Sequence, residues 1–137
     1  MSRLPARLRI LEGKDQRMAK ILIIDDSPTE VHVLTRMLLD RGYETLSAGS
    51  GEEGIQVARD EIPDLILMDV VMPGMNGFQA TRKLTRDLMT KDIPVIIVTT
   101  KNQDTDREWG LRQGASDYLV KPIRADDLLA KVQAVLA

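Results

Sequence analysis

The sequence contains no cysteine among its 137 residues. Disulfide bonds and thiolate metal ligands are therefore excluded, and a bound metal would need oxygen or nitrogen ligands. A chain without cysteine also fits a reducing compartment, so a cytoplasmic location is expected. No apolar run approaches the roughly 20 residues of a membrane-spanning helix, and membrane insertion is not expected.

The sequence also lacks an excess of positive charge, with a formal net charge of −2 and a pI of about 5.4. Because proteins that bind nucleic acid are normally basic, nucleic acid is not an expected partner. The first nineteen residues carry five basic and two acidic side chains, a net charge of +3, which leaves −5 for the remainder. We interpret residues 1–18 as a flexible extension or a segment upstream of the true start, and residues 19–137 as one domain.

Short apolar runs alternate with segments of helical periodicity along the domain. The runs cover residues 21–24, 44–48, 65–68, 95–98 and 118–120. Such runs between helices predict parallel strands that are buried on both faces. The pattern therefore predicts an α/β fold, a (βα)5 arrangement with right-handed crossovers and helices on both faces of the sheet.

Helix starts and packing residues can also be predicted from local patterns. Ser27 with Glu30 and Ser50 with Glu53 match the capping box, and Asn76 is a candidate cap for the third helix. The apolar side of that helix is predicted to comprise Phe78, Thr81, Leu84 and Leu88. Trp109 and the methionines are interpreted as packing residues, and His32 as a surface or partly buried residue without a catalytic role.

Polar side chains follow four of the five predicted strands. Asp25 and Asp26 follow the first, Asp69 the third, Thr99 the fourth and Lys121 the fifth. The carboxyl ends of parallel strands share one edge of the sheet, which is where ligands bind in such folds. Each residue alone could be an ordinary turn residue, but all of them at strand ends favour one site.

The predicted cluster has the chemistry to bind a divalent cation and a phosphoryl group. Carboxylates without histidine or cysteine favour Mg²⁺ or Mn²⁺ over zinc. Asp69 could attack a phosphoryl donor and form an acyl phosphate, while the metal neutralises charge on the transferring group. Lys121 would add a second positive charge, and the Thr99 hydroxyl could donate to a phosphoryl oxygen.

Together these residues resemble the receiver domain of two-component response regulators, of the chemotaxis type. The matching residues are Asp25-Asp26, Met68-Asp69, Met72-Pro73-Gly74, Gly77, Thr99, Tyr118 and Lys121-Pro122. The resemblance extends over about residues 19–137. It implies a flavodoxin-like fold with strand order 2-1-3-4-5.

The resemblance also implies a role for each site residue. Asp69 would accept a phosphoryl group from a histidine kinase, so that the domain catalyses only its own phosphorylation and dephosphorylation. Asp26, Asp69 and the backbone carbonyl of Val71 would bind Mg²⁺, with Asp25 acting mostly through water. Val71 departs from chemotaxis receivers, which often carry a polar residue there, so the lifetime of the phosphoryl group stays open.

Thr99 and Tyr118 would form the switch pair that reports phosphorylation to the face of the fourth helix, fifth strand and fifth helix. An effector protein would bind that face, and the domain is expected to be a monomer. The segments around Ser27, from Asn76 to Arg82, and around Thr99 further resemble single-domain receivers of type IV pilus (twitching) chemosensory systems. Such a receiver would either bind its effector or drain phosphate from another regulator.

Three alternatives remain at this point. A phosphorelay intermediate receiver would use the same residues. A Mg²⁺-dependent phosphatase of the haloacid-dehalogenase type usually has a second aspartate two residues after the nucleophile, where this chain has Val71. A flavodoxin-like FMN protein would need a phosphate-binding loop after the first strand, where Asp25 and Asp26 would repel the phosphate.

Overall fold

The computed structural model describes residues 19–137, which form a five-stranded parallel sheet with helices on both faces. The strands are β1 Lys20–Ile24, β2 Glu44–Ala48, β3 Leu65–Met68, β4 Val95–Thr99 and β5 Asp117–Val120. The helices are α1 Pro28–Leu39, α2 Gly51–Glu61, α3 Gly77–Arg86, α4 Asp104–Arg112 and α5 Ala125–Leu136. The prediction for residues 1–18 lies outside the described part of the chain.

The strand order is β2-β1-β3-β4-β5, and every neighbouring pair is parallel. Both the flavodoxin-like order and the (βα)5 arrangement are therefore confirmed. The order brings β1 and β3 side by side, with Ile24 opposite Met68 at their carboxyl ends. The residues that follow these two strands must accordingly lie next to each other.

Two apolar cores lie on opposite faces of the sheet, because side chains alternate along each strand. Leu22 and Ile24 of β1 belong to the core beneath α2 and α3. Ile21 and Ile23 belong to the core beneath α1 and α5. Burial of both faces explains why the strands are continuous apolar runs and why the sequence pattern identified them.

Helix α3 begins as predicted and ends earlier than predicted. Asn76 and Gln79 form a reciprocal capping box, with hydrogen bonds of 2.9 Å in both directions. The helix ends at Arg86 because Asp87 has an extended backbone and its carboxylate accepts the Met89 amide at 2.9 Å. The assignment of Leu88 to the apolar side is therefore wrong, since Leu88 is 82% exposed.

Helix α4 approaches the sheet through its only fully buried residue, Gly110. A Cβ atom at Gly110 would lie 2.7 Å from Ile97 Cδ1 and 3.1 Å from Tyr118 Cδ2, so an added side chain would force Ile97 to move. The neighbouring Trp109 is 49% exposed, and the interpretation of this residue as a packing residue is wrong.

His32 is exposed on α1, as expected. No helix within residues 19–137 is long and apolar enough to cross a bilayer.

Candidate metal centre

The three predicted aspartates lie together at the carboxyl edge of the sheet. One carboxylate oxygen from each of Asp25, Asp26 and Asp69 lies within 4.8 Å of the others. The backbone fixes this arrangement, because the Asp69 amide donates to the Ile24 carbonyl at 2.9 Å. Asp25 and Asp69 are 3% and 7% exposed, whereas Asp26 is open to solvent. The cluster is therefore a partly buried set of hard oxygen ligands with one open side.

Asp25 is held by the protein through both of its carboxylate oxygens. Oδ1 accepts the backbone amide of Ser27 at 2.9 Å, and Oδ2 accepts the ammonium group of Lys121 at 2.8 Å. The Ser27 contact closes the turn between β1 and α1. Asp25 thus has less coordination capacity left than Asp26, which agrees with a role through water.

Lys121 joins the fifth strand to this cluster. Its ammonium nitrogen lies 2.8 Å from Asp25, 3.5 Å from Glu30 and 3.7 Å from Asp69. Burial by itself would lower the pKa of Lys121, but the hydrogen bond to Asp25 and the surrounding carboxylates raise the pKa above its ordinary value. Lys121 is accordingly a cation over the whole physiological range.

Glu30 is a site residue that the sequence pattern did not identify. The Ser27 hydroxyl accepts the Glu30 amide at 3.3 Å, as a capping box requires. The Glu30 carboxylate, however, faces Lys121, since Asp25 already occupies the Ser27 amide. The capping-box prediction is therefore only half correct. The available signal was that α1 begins at the carboxyl edge, so a side chain in its first turn can reach the site.

The second predicted capping box is modified in the same way. The Ser50 hydroxyl accepts the Glu53 amide at 3.1 Å, but the Glu53 carboxylate accepts the amide of Gly49 at 3.2 Å. The hydroxyl caps are thus correct for both helices. The glutamate carboxylates contact other groups, namely Lys121 for Glu30 and the Gly49 amide for Glu53.

The electrostatic balance of the cluster is negative. Asp25, Glu30 and Asp69 lie 3.7 Å or less from the ammonium group of Lys121, and Asp26 adds a fourth carboxylate beside Asp25 and Asp69. Burial raises the pKa of Asp69, and the charge of Asp25 raises it further, against the opposing effects of Lys121, the Val70 amide and the Thr99 hydroxyl. A divalent cation would relieve the remaining repulsion, so the residues present fit Mg²⁺.

Thr99 and Tyr118 meet at the backbone of Lys101. The Thr99 hydroxyl accepts the Lys101 amide at 3.4 Å, and the Tyr118 hydroxyl donates to the Lys101 carbonyl at 2.8 Å. Thr99 is fully buried at the end of β4, and Tyr118 is 3% exposed within the core beneath α3. The two residues are thus linked through one loop residue, Lys101.

Val71 lies in the loop that joins β3 to α3, two residues after Asp69. Its side chain is 57% exposed, and the preceding carbonyl of Val70 accepts the Gly77 amide at 3.0 Å. The loop is therefore tied at its base to the start of α3. The exposed valine has no polar atom in its side chain to offer to a ligand.

Comparison with known proteins agrees with this geometry. Residues 21–133 match the family described as the response regulator receiver domain. The chain belongs to this family. It is 60% identical over 120 residues to the protein PilH of Pseudomonas aeruginosa, covering 88% of this chain and 99% of PilH.

Two solved receiver structures are also similar. The chemotaxis protein CheY4 of Vibrio cholerae matches with a TM-score of 0.81 and 34% identity, covering 86% of this chain and 98% of CheY4. The receiver domain of the sensor histidine kinase PA1611 of Pseudomonas aeruginosa matches with a TM-score of 0.80 and 30% identity, covering 86% of this chain and 97% of that domain. That structure holds a magnesium ion in its active-site cleft.

A Tyr118→Phe receiver is expected to lose about 1 kcal/mol of unfolding free energy at neutral pH, because the Lys101 carbonyl loses its donor. Burial raises the pKa of Tyr118 to about 12, with Asp106 adding to the rise and Arg107 opposing it. An acid with a raised folded-state pKa contributes stability below its unfolded pKa and loses it as the pH rises toward the folded value. The parent therefore loses this contribution to stability between pH 10 and 12, whereas the variant has no hydroxyl that ionises in that range.

Urea unfolding of both proteins at about pH 8 and about pH 11 measures this effect. The difference in unfolding free energy should shrink at the higher pH. A difference that stays constant would contradict the buried, hydrogen-bonded placement of the Tyr118 hydroxyl.

Proposed function

We propose that the protein is a single-domain response regulator in which Asp69 accepts a phosphoryl group from a histidine kinase. The observation that carries the proposal is the placement of Asp69 within 4.8 Å of two further aspartates and 3.7 Å from Lys121. A carboxylate between a cation site and an ammonium group is suited to nucleophilic attack on a phosphoryl donor. An oxygen of Asp69 forms the new P–O bond, and the bond between phosphorus and the histidine nitrogen of the kinase breaks, with its electron pair remaining on that nitrogen.

Mg²⁺, or Mn²⁺, is the proposed cofactor, with Asp26, Asp69 and the Val71 carbonyl as its protein ligands. The cation supplies charge neutralisation for the transferring group. Lys121 would pair with the phosphoryl oxygens, and the Thr99 hydroxyl would donate to one of them. The receiver motif implies these roles for the matching residues of this chain. The excess of negative charge in the cluster supports the binding of a cation there.

The proposed output face consists of α4, β5 and α5. Thr99 and Tyr118 would transmit the change through their shared contacts with Lys101. Charged groups link the three elements of this face: Asp117 lies 2.9 Å from Lys131 and 3.6 Å from Arg107. An effector protein that binds this face would contact α4, β5 and α5 together. A movement of α4 would therefore change the surface that the effector binds.

The pathway is proposed from similarity. The 60% identity to PilH supports a chemosensory two-component system of the type IV pilus, acting in twitching motility. A chemosensory histidine kinase would then be the phosphodonor. We further propose that residues 19–137 form the receiver domain and that it acts as a cytoplasmic monomer.

The class of function can be tested with Mg²⁺ and acetyl phosphate as the donor. Intact-protein mass spectrometry should show one added phosphoryl group per chain, and EDTA should prevent the addition. Steady hydrolysis of p-nitrophenyl phosphate should be absent, because no second aspartate stands at the position of Val71. Sustained turnover would instead favour the phosphatase of the haloacid-dehalogenase type.

A further inference from the structure

A groove of about 850 Å³ lies between α2 and α3, away from the metal centre and from the proposed output face. Its basic side is formed by Arg82, Lys83 and Arg86 of α3. Met75 lies in the groove, and the carboxylates of Glu52 and Asp87 border it. The groove therefore combines cationic groups with an apolar surface.

The three basic side chains are available to a partner. All three are exposed, and within residues 19–137 none of them forms an ion pair. The sequence after residue 19 has a net charge of −5, so this concentration of positive charge is a local exception. Unpaired cations gathered on an acidic domain attract negatively charged partners and set their orientation.

Two exposed apolar residues directly follow Asp87, the last lining residue of the groove along the chain. Leu88 and Met89 are 82% and 61% exposed. Their turn is held in place, because the Asp87 carboxylate accepts the Met89 amide at 2.9 Å and pairs with Arg59 at 2.7 Å. A fixed apolar surface costs less ordering entropy when it binds a partner than a mobile one does.

We propose that this groove binds an acidic segment of a partner protein. The carboxylates of the segment would pair with Arg82, Lys83 and Arg86, and its apolar side chains would contact Met75, Leu88 and Met89. Arginine clusters recognise acidic motifs in this way. The concave shape and the bordering Glu52 and Asp87 favour a narrow segment over an anionic membrane surface, which would bring negative charge against both carboxylates.

The groove is a second surface, separate from the α4–β5–α5 face. Its lining residues include neither Asp69 nor Thr99 and Tyr118, which carry the proposed phosphorylation signal, so we expect binding to be independent of phosphorylation. An Asp69→Asn variant should therefore bind the acidic segment as the parent does. Failure of the groove proposal and failure of the proposed phosphoacceptor can thus be told apart.

The test is an NMR titration of the ¹⁵N-labelled full chain with a short synthetic peptide of glutamates and interspersed leucines. Amide shifts should concentrate on α3 and on the turn that contains Leu88. The double variant Arg82→Glu/Arg86→Glu should bind about tenfold more weakly or worse, and salt at roughly 0.5 M should weaken binding to the parent. A peptide with lysine in place of every glutamate should not bind.

The matched control is Arg36→Glu/Arg112→Glu, which reverses two exposed arginines in the last turns of α1 and α4. This control should bind the peptide within about twofold of the parent. Equal loss in both double variants, shifts confined to the output face, or no binding would overturn the proposal. Binding of phosphatidylglycerol vesicles through the same arginines, without peptide binding, would overturn it in favour of a membrane surface.

Discussion

Asp69→Asn is expected to take up no phosphoryl group from acetyl phosphate in the presence of Mg²⁺, whereas the parent takes up one per chain. The amide that replaces the carboxylate is not a nucleophile, and it also removes one charged metal ligand. The rate of uptake should fall by several orders of magnitude, as it does when a covalent nucleophile is removed, so no added mass should appear during the time course. Intact-protein mass measured over a time course gives this rate.

The fold should survive this substitution, so the loss can be assigned to chemistry. Asparagine has nearly the same shape as aspartate, and the charge that it removes lies beside Asp25, which raises the pKa of Asp69. The control is Asp60→Asn, at an exposed carboxylate on α2 that accepts Gln56 Nε2 at 3.0 Å. The control should be phosphorylated like the parent. Uptake by Asp69→Asn at the parental rate would remove Asp69 from its proposed role.

The positions of the site aspartates could be predicted because local sequence determines them. Four-residue runs such as Ile21 to Ile24 are buried on both faces, so the strand ends are sharp in the sequence. Parallel strands place those ends on one edge, which predicts a common site for Asp25 and Asp69. The strand order that makes β1 and β3 neighbours was implied by the resemblance to receiver domains, and the structure confirms it. The same argument placed Thr99 and Lys121 at this edge.

The incorrect predictions for Glu30 and Trp109 have a different cause, because the position of each side chain depends on a contact between segments that are distant in the sequence. Glu30 turns toward Lys121, which is 91 positions later in the sequence. Trp109 is exposed because Gly110 brings the backbone of α4 against Ile97 and Tyr118. Helical periodicity describes one helix at a time and carries no information on either contact.

The contact between Thr99 and Tyr118, the proposed switch pair, was also beyond prediction. Thr99 and Tyr118 meet through the amide and carbonyl of Lys101. Those groups are common to almost every residue, so no sequence pattern marks them. The sequence identified the two side chains, and only the structure supplies the backbone that joins them.

Gly77→Ala is expected to destabilise the folded protein by about 3 kcal/mol or more, the upper range for added atoms in a filled space. A Cβ atom at position 77 would overlap the Asp69 carbonyl oxygen and lie 2.7 Å from the Asp69 carbonyl carbon and 2.8 Å from Val70 Cα. These are backbone atoms of the β3 edge, so they cannot rotate away. The melting temperature should fall by roughly 10 °C.

The sign of this effect is informative because helix propensity favours the opposite result. Alanine is better than glycine inside a helix by about 1 kcal/mol, and position 77 is the first residue of α3. The steric overlap between α3 and the end of β3 is expected to outweigh this gain in helix propensity, so the substitution should destabilise the protein. Relief of the overlap would also displace Asp69, so phosphoryl uptake should slow in the fraction that stays folded.

Gly49→Ala is the matched control, since the nearest atom to its added Cβ is Glu53 Oε2 at 3.9 Å. Its unfolding free energy should change by no more than about 0.5 kcal/mol, as for most exposed substitutions. Urea unfolding with an unchanged slope measures both variants on one scale. If Gly77→Ala were as stable as the parent, α3 could not begin against the backbone of Asp69, and the loop that carries Val71 would need a different path past the metal centre.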